Sequence, residues 1–166
     1  LDLYGAGDGR GEDWNERFRA SMQPLIDEHL PPLRVPSKPL TMLLLSNRGC
    51  NLRCSFCDLW QDFENMALAR VLPLLDQAVA IGTQTLVITG GEPFIYPDLF
   101  TVVREAKRRG LSVNITTNGT LIDKHWDALK ASGVDSLSFS IDGMPPTHDA
   151  IRGQKGAWRR TVAGLE

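Results

Sequence analysis

The sequence predicts an α/β protein built on a parallel sheet, and three observations carry that prediction. Short apolar runs recur from Leu40 onward, helical patterns separate them, and a distinctive polar motif follows each run. Strands are expected at 40–46, 85–89, 112–117 and 136–140, where nearly continuous apolar stretches are short enough for strands. Helices are expected at 68–81, 99–109 and 123–131, with a fourth starting near 157. Gly82, Gly110 and Gly133 each follow a helical run, where a left-handed cap needs a residue without a Cβ. Pro73 falls inside the first of these helices, so it either begins the regular part or kinks it. Runs of this kind argue for parallel strands buried on at least one face and covered on the other, wound by right-handed crossovers.

Ahead of this region, residues 1–39 read as a separate leader. The opening LDLYGAGDGRGEDW is glycine-rich, but Gly5, Gly7, Gly9 and Gly11 miss the G-x-G-x-x-G phosphate-loop spacing, and no strand of useful length precedes them. A helix is expected from Trp14 to about Leu30. A linker carrying Pro31, Pro32, Pro36 and Pro39 follows it, and those prolines discourage regular structure. The organisation expected is therefore 1–39 as leader, helix and linker, and 40–166 as the folded core. The chain opens on Leu1 and stops at Glu166 within an amphipathic pattern, which reads as part of a longer protein.

With 166 residues, 42% apolar and 23% charged, the composition is that of a soluble globular domain. A net charge of −2 gives no reason to expect nucleic acid or an anionic membrane surface as partner. The longest uninterrupted apolar run, Met42 to Leu45, is far too short to span a bilayer.

The cysteines carry the chemical signal. All three, Cys50, Cys54 and Cys57, lie in the segment NRGCNLRCSFC. A structural zinc site needs a closed tetrahedral set, yet there is no fourth cysteine, and the histidines on either side, His29 and His125, are both far from the loop in sequence. Disulfides fit poorly with an odd count, tight spacing and no signal peptide. A [4Fe–4S] cube takes one thiolate per iron, so three ligands from one loop leave one iron open to a non-protein ligand. Reduced thiols and such a cluster both suit the cytoplasm.

In parallel α/β architectures ligands collect at the carboxyl ends of the strands, and each motif falls at such an end. The cysteine loop follows the first strand, TGGEP the second, TTNG the third and SIDG the fourth. Gly90 and Gly91 let backbone approach a ligand closely, and a plain turn explains them equally well. Thr117 and Asn118, then Ser140 and Asp142, offer short polar groups, although Asn118-Gly119 and Asp142-Gly143 are also ordinary turn dipeptides.

Together these residues resemble the radical S-adenosylmethionine (radical SAM) enzymes. The resemblance rests on the CxxxCxxC loop at Cys50, Cys54 and Cys57, with Phe56 at the aromatic position before the last cysteine. GGE at Gly90-Gly91-Glu92, then TTNG and SIDG in order, complete it over residues 40 to 166. It implies a partial (βα)6 TIM-like barrel with only about the first four βα units present; strands five and six are the departure from the family pattern.

It also implies that the cysteines hold a [4Fe–4S] cluster whose open iron takes the amino and carboxylate groups of SAM. Reductive cleavage would then yield a 5′-deoxyadenosyl radical that abstracts hydrogen from a substrate. By the same resemblance Phe56 packs near adenine, Gly90 and Gly91 approach the methionine moiety, and Glu92 meets its ammonium group. Thr117, Asn118, Ser140 and Asp142 bond ribose or the amino-acid end, and Arg152 in HDAIRG forks onto the carboxylate. Reduced flavodoxin or ferredoxin is the implied electron donor. SIDG followed by HDAIRG looks most like enzymes that modify peptides or proteins, with the molybdenum-cofactor cyclase group as another candidate.

Bland readings apply elsewhere. Phe56 is alternatively a core aromatic, His148 a structural histidine, and His125 and Trp126 packing residues of the third helix. Lys107, Arg108 and Arg109 complement a helix dipole. Two rival classes are a cluster-carrying module that holds SAM without cleaving it, and an inactive fragment with an exposed parallel edge.

Overall fold

The computed structural model describes residues 16–17, 20–25, 28 and 38–165. The chain divides into two compact units, Leu1–Ser37 and Lys38–Glu166. In the first unit the described residues are helical, within the helix expected from 14 to 30. The glycine-rich leader and the linker up to residue 37 lie outside the described residues.

In the second unit four parallel strands pair in chain order: β1 (Thr41–Leu45), β2 (Thr85–Thr89), β3 (Ser112–Thr117) and β4 (Ser136–Phe139). Helices α1 (Leu68–Ala80), α2 (Leu99–Arg108) and α3 (Ile122–Ser132) connect them, and α4 (Pro145–Arg152) and α5 (Ala157–Ala163) follow β4. Sequential parallel order with one helix per crossover is the (βα) winding of a TIM-like barrel, here seen as four units.

The two faces of the sheet differ. Leu44, Leu86, Ile88, Val113 and Ile115 point into one core with Val71 and Leu75 of α1, Val102, Val103 and Ala106 of α2, and Ile122 and Leu129 of α3. On the opposite face Leu43 and Leu45 are 61% and 50% exposed, so the expected cover on that side is not found among the described residues. Period-two alternation explains it, because Asn114, Ser136 and Ser138 occupy that face and bond one another instead of packing a helix.

Most expected boundaries agree within a residue or two. Gly82, Gly110 and Gly133 have φ of 93°, 82° and 78°, as left-handed caps require. Helix α1 starts at Leu68, so Pro73 does not begin it; the ring sits inside and removes one i→i−4 bond while Val71, Leu75 and Ala78 anchor the helix in the core. Helix α4 was not expected, because MPPTHD reads as a proline-rich loop. Its prolines stand at the first helical positions, where a missing N–H costs nothing. No helix among the described residues is long and apolar enough to cross a membrane.

Candidate active site

The cysteine loop is clamped from two sides at the carboxyl ends of the strands. On one side the Gly91 and Glu92 amides donate to the carbonyls of Asn47 and Gly49, both at 2.8 Å. A Cβ on Gly91 would stand 2.1 Å from the Gly49 carbonyl oxygen, and one on Gly90 would stand 2.4 Å from that of Asn47. The paired glycines are thus required first by the approach of the cysteine loop itself. On the other side Arg53 and Ser55 amides donate to the carbonyls of Arg152 and Ile151 in α4. Gly153, with φ of 64°, leaves room for the Arg53 carbonyl, which a Cβ would meet at 2.3 Å.

Between these clamps lies a cavity of about 160 Å³. Cys50, Cys54 and Cys57 line it, as do Phe56, Gly90, Gly91, Thr117, Asn118, Ser140 and Arg152; Glu92 and Asp142 do not. Phe56 is 68% exposed, which removes the core-anchor reading of that ring. Its face stands 5.8 Å from the Arg152 guanidinium carbon.

Glu92 is buried behind the rim. Its carboxylate accepts from Thr117 Oγ1 at 2.7 Å, the Asn118 amide at 2.8 Å and the Phe94 amide at 3.2 Å. Burial pushes its pKa up, against the pull of the Asn118, Thr117 and Phe94 donors and of the Arg152 charge. One carboxylate thereby fastens the end of β2 to the end of β3. Arg152 is likewise committed: Nε and Nη2 donate to the two oxygens of Asp142 at 2.5 and 3.1 Å. Ser140 lies at the mouth, its amide bonded to the Thr117 carbonyl at 3.0 Å.

Several residues of the site had no place in the sequence reading. Asn47 is buried and donates to the carbonyls of Gly49 and Glu92. Asn51 bridges Thr120 and Asn118. Thr89 and Thr116 line the cavity, and strand alternation, which sets Thr116 on the open face with Asn114, was the signal that could have found it. Tyr96 and His125 are packing residues: Tyr96 donates to the Met66 carbonyl at 2.8 Å, and His125 stacks near Phe94 and Phe100. His148 is fully buried and structural.

The donor set fits a multi-iron cluster. The three cysteines are free, partly exposed and line one cavity. N–H groups already point at two sulfurs: the Leu52 amide lies 3.4 Å and Asn118 Nδ2 4.0 Å from Cys50 Sγ, and Arg152 Nη1 lies 3.7 Å from Cys54 Sγ. Such donors suit anionic sulfur. Burial raises the Cys50 pKa more than the Leu52 amide lowers it, so thiolate ligation there releases a proton.

Comparison with known proteins agrees. Residues 44–166 match the model of the radical SAM superfamily. The chain is 39% identical over 124 residues to an AdoMet-dependent heme synthase of Methanosarcina barkeri, covering 71% of this chain and 36% of that protein. It is 34% identical over 142 residues to a PqqA peptide cyclase of Ruegeria pomeroyi, covering 80% and 37%. The structure of Streptococcus suis SuiB bound to precursor peptide SuiA superposes with a TM-score of 0.66 at 20% identity, over 99% of this chain and 38% of that one. The chain spans a little over a third of the length of these curated relatives. A CxxxCxxC loop pinned at the mouth of a parallel βα sheet, with this family match, places the chain in the radical SAM superfamily.

Proposed function

We propose that this chain is the cluster-binding and SAM-binding part of a radical SAM enzyme. The observation that carries the reading is the convergence of all three cysteines, Gly90 and Gly91 on one cavity at the strand ends. Cys50, Cys54 and Cys57 would hold a [4Fe–4S] cluster. When bound, such a cluster would supply the one electron for reductive cleavage of a sulfur–carbon bond of SAM, to methionine and a 5′-deoxyadenosyl radical able to take hydrogen from a substrate.

This chain's own groups have simpler tasks. Gly90 and Gly91 leave the cavity wall without side chains, so backbone can meet the methionine end of SAM. Phe56 offers an exposed aromatic face for adenine. Ser140 and the Thr117–Asn118 corner present polar groups to ribose or to the amino-acid end. Glu92 and Asp142, set behind the cavity wall, support a different part from the direct SAM contacts expected of them. Glu92 orders the Thr117–Asn118 corner, and Asp142 orders Arg152.

The substrate proposed is a peptide or protein, supported by the PqqA peptide cyclase among the relatives and by the peptide in the SuiB structure. A heme precursor is the second reading, favoured by the heme synthase at 39% identity. Reduced flavodoxin or ferredoxin is the proposed donor, in the cytoplasm. The test is anaerobic incubation of reconstituted protein with SAM and dithionite. Formation of 5′-deoxyadenosine and methionine in equal amounts is expected, and a loaded protein that forms neither would favour a SAM-holding module.

A further inference from the structure

The three cysteine sulfurs do not share one environment. Cys50 Sγ faces two neutral donors, the Leu52 amide and the Asn118 side-chain amide. No donor reaches Cys57 Sγ among the described residues. Cys54 Sγ faces a cation, with Arg152 Nη1 at 3.7 Å. That guanidinium is only 9% exposed and has two working edges. Nε and Nη2 are spent on Asp142, and the Nη1 corner is left for the sulfur. Asp142 is fixed in turn, because its amide donates to Nδ1 of fully buried His148 at 3.2 Å.

Building on the reading of this loop as a [4Fe–4S] site, we propose that Arg152 is a positioning residue that sets the reduction potential of the cluster through Cys54. Reduction adds one negative charge to the cluster and its thiolates. A charge-assisted N–H donor held against one thiolate stabilises the reduced form more than the oxidised form and raises the potential. The carboxylate of Asp142 sits on the other edge of the guanidinium, so the ion pair presents its positive end to the sulfur. His148 and Asp142 serve to keep that corner aimed. This role differs from pairing with the SAM carboxylate, because it acts before SAM binds.

The test is a redox titration of the SAM-free, reconstituted protein followed by EPR, with Arg152→Gln and Arg152→Lys as variants. Arg152→Gln is expected to make the reduction equilibrium about tenfold less favourable, a fall of about 59 mV for one electron. Arg152→Lys keeps the charge but loses the fork, and a smaller fall is expected. A measurement needing no variant runs beside these: pulsed EPR of reduced wild-type protein labelled with 15N in its arginine guanidinium groups. Hyperfine coupling to a guanidinium nitrogen supports the proposal, and its absence overturns it. Either variant loaded with cluster at the wild-type potential overturns it as well, while a wild-type chain that forms no [4Fe–4S] cluster overturns the reading of the site beneath it.

Discussion

At the carboxyl end of the sheet Arg152 and Asp142 form a forked pair tied to fully buried His148, while at the opposite end Arg109 binds half-buried Glu105 and Asp76, whose side chain is 65% exposed. The chemistry of the two groupings is the same. Arg109 ties the end of α2 to α1, Glu105 also holds Arg108, and Lys107 reaches Asp135 at 2.7 Å ahead of β4. Pairs with a member open to water, as Asp76, Arg108 and Asp135 are, orient helices and add little net stability, since water and salt screen them. At the rim the polar groups hold one another: Glu92 takes three donors, Asp142 takes Arg152, and the Asp142 amide donates to His148 Nδ1, while the buried Nε2 of that histidine has no partner among the described residues. Burial makes such a network costly to break and fixes its geometry, which a cluster ligand loop needs.

Breaking the rim should therefore cost far more than breaking the opposite end. Glu92→Ala strands the Thr117 hydroxyl and the Asn118 and Phe94 amides, and a loss of about 4 kcal/mol is expected in denaturant unfolding. Gly91→Ala forces a Cβ onto the Gly49 and Arg48 carbonyls, at an expected cost of about 3 kcal/mol and with poor cluster loading.

The two ends should also separate in pH. His148 is held below its usual pKa, first by burial and then by the Arg152 charge. A lowered folded-state pKa gives stability that is present above the unfolded value and lost as pH falls. Stability should thus drop as pH goes below about 6.5, and His148→Asn, whose Oδ1 can still accept from the Asp142 amide, should flatten that drop. Glu92 runs the other way, its raised pKa adding stability as pH falls through it.

At the far end, Glu105 is pulled down to about 2 by its hydrogen bonds to Arg108 and Arg109. Its contribution survives through the histidine window and is lost only as pH falls from about 4.5 towards 2. Glu105→Gln is the smallest change expected, barely moving the thermal midpoint and leaving cluster loading intact. A Glu105→Gln protein as damaged as Glu92→Ala would erase the contrast between the two ends.

Strand positions and the site loop were legible in the sequence because both rest on local patterns: apolar runs bounded by glycine caps, and ligand spacing within eight residues. What the pattern could not show were the partners chosen across the fold. Glu92 and Asp142 are correctly at the rim, yet their carboxylates turn to Thr117 and to Arg152 instead of lining the cavity. The clash that demands glycine at 90 and 91 comes from residues 47–49, more than forty positions earlier. Helix α4 was hidden because its two prolines read as loop formers when they were helix starters. The open face of the sheet was likewise invisible until Leu43 and Leu45 were seen standing opposite the core.

The most direct test of the central claim is EPR of the anaerobically reconstituted, reduced chain with and without SAM. A [4Fe–4S]+ signal that shifts on adding SAM and vanishes in Cys54→Ala is the predicted result. A wild-type signal indifferent to SAM, or a chain that takes up zinc and forms no cluster, would contradict the account.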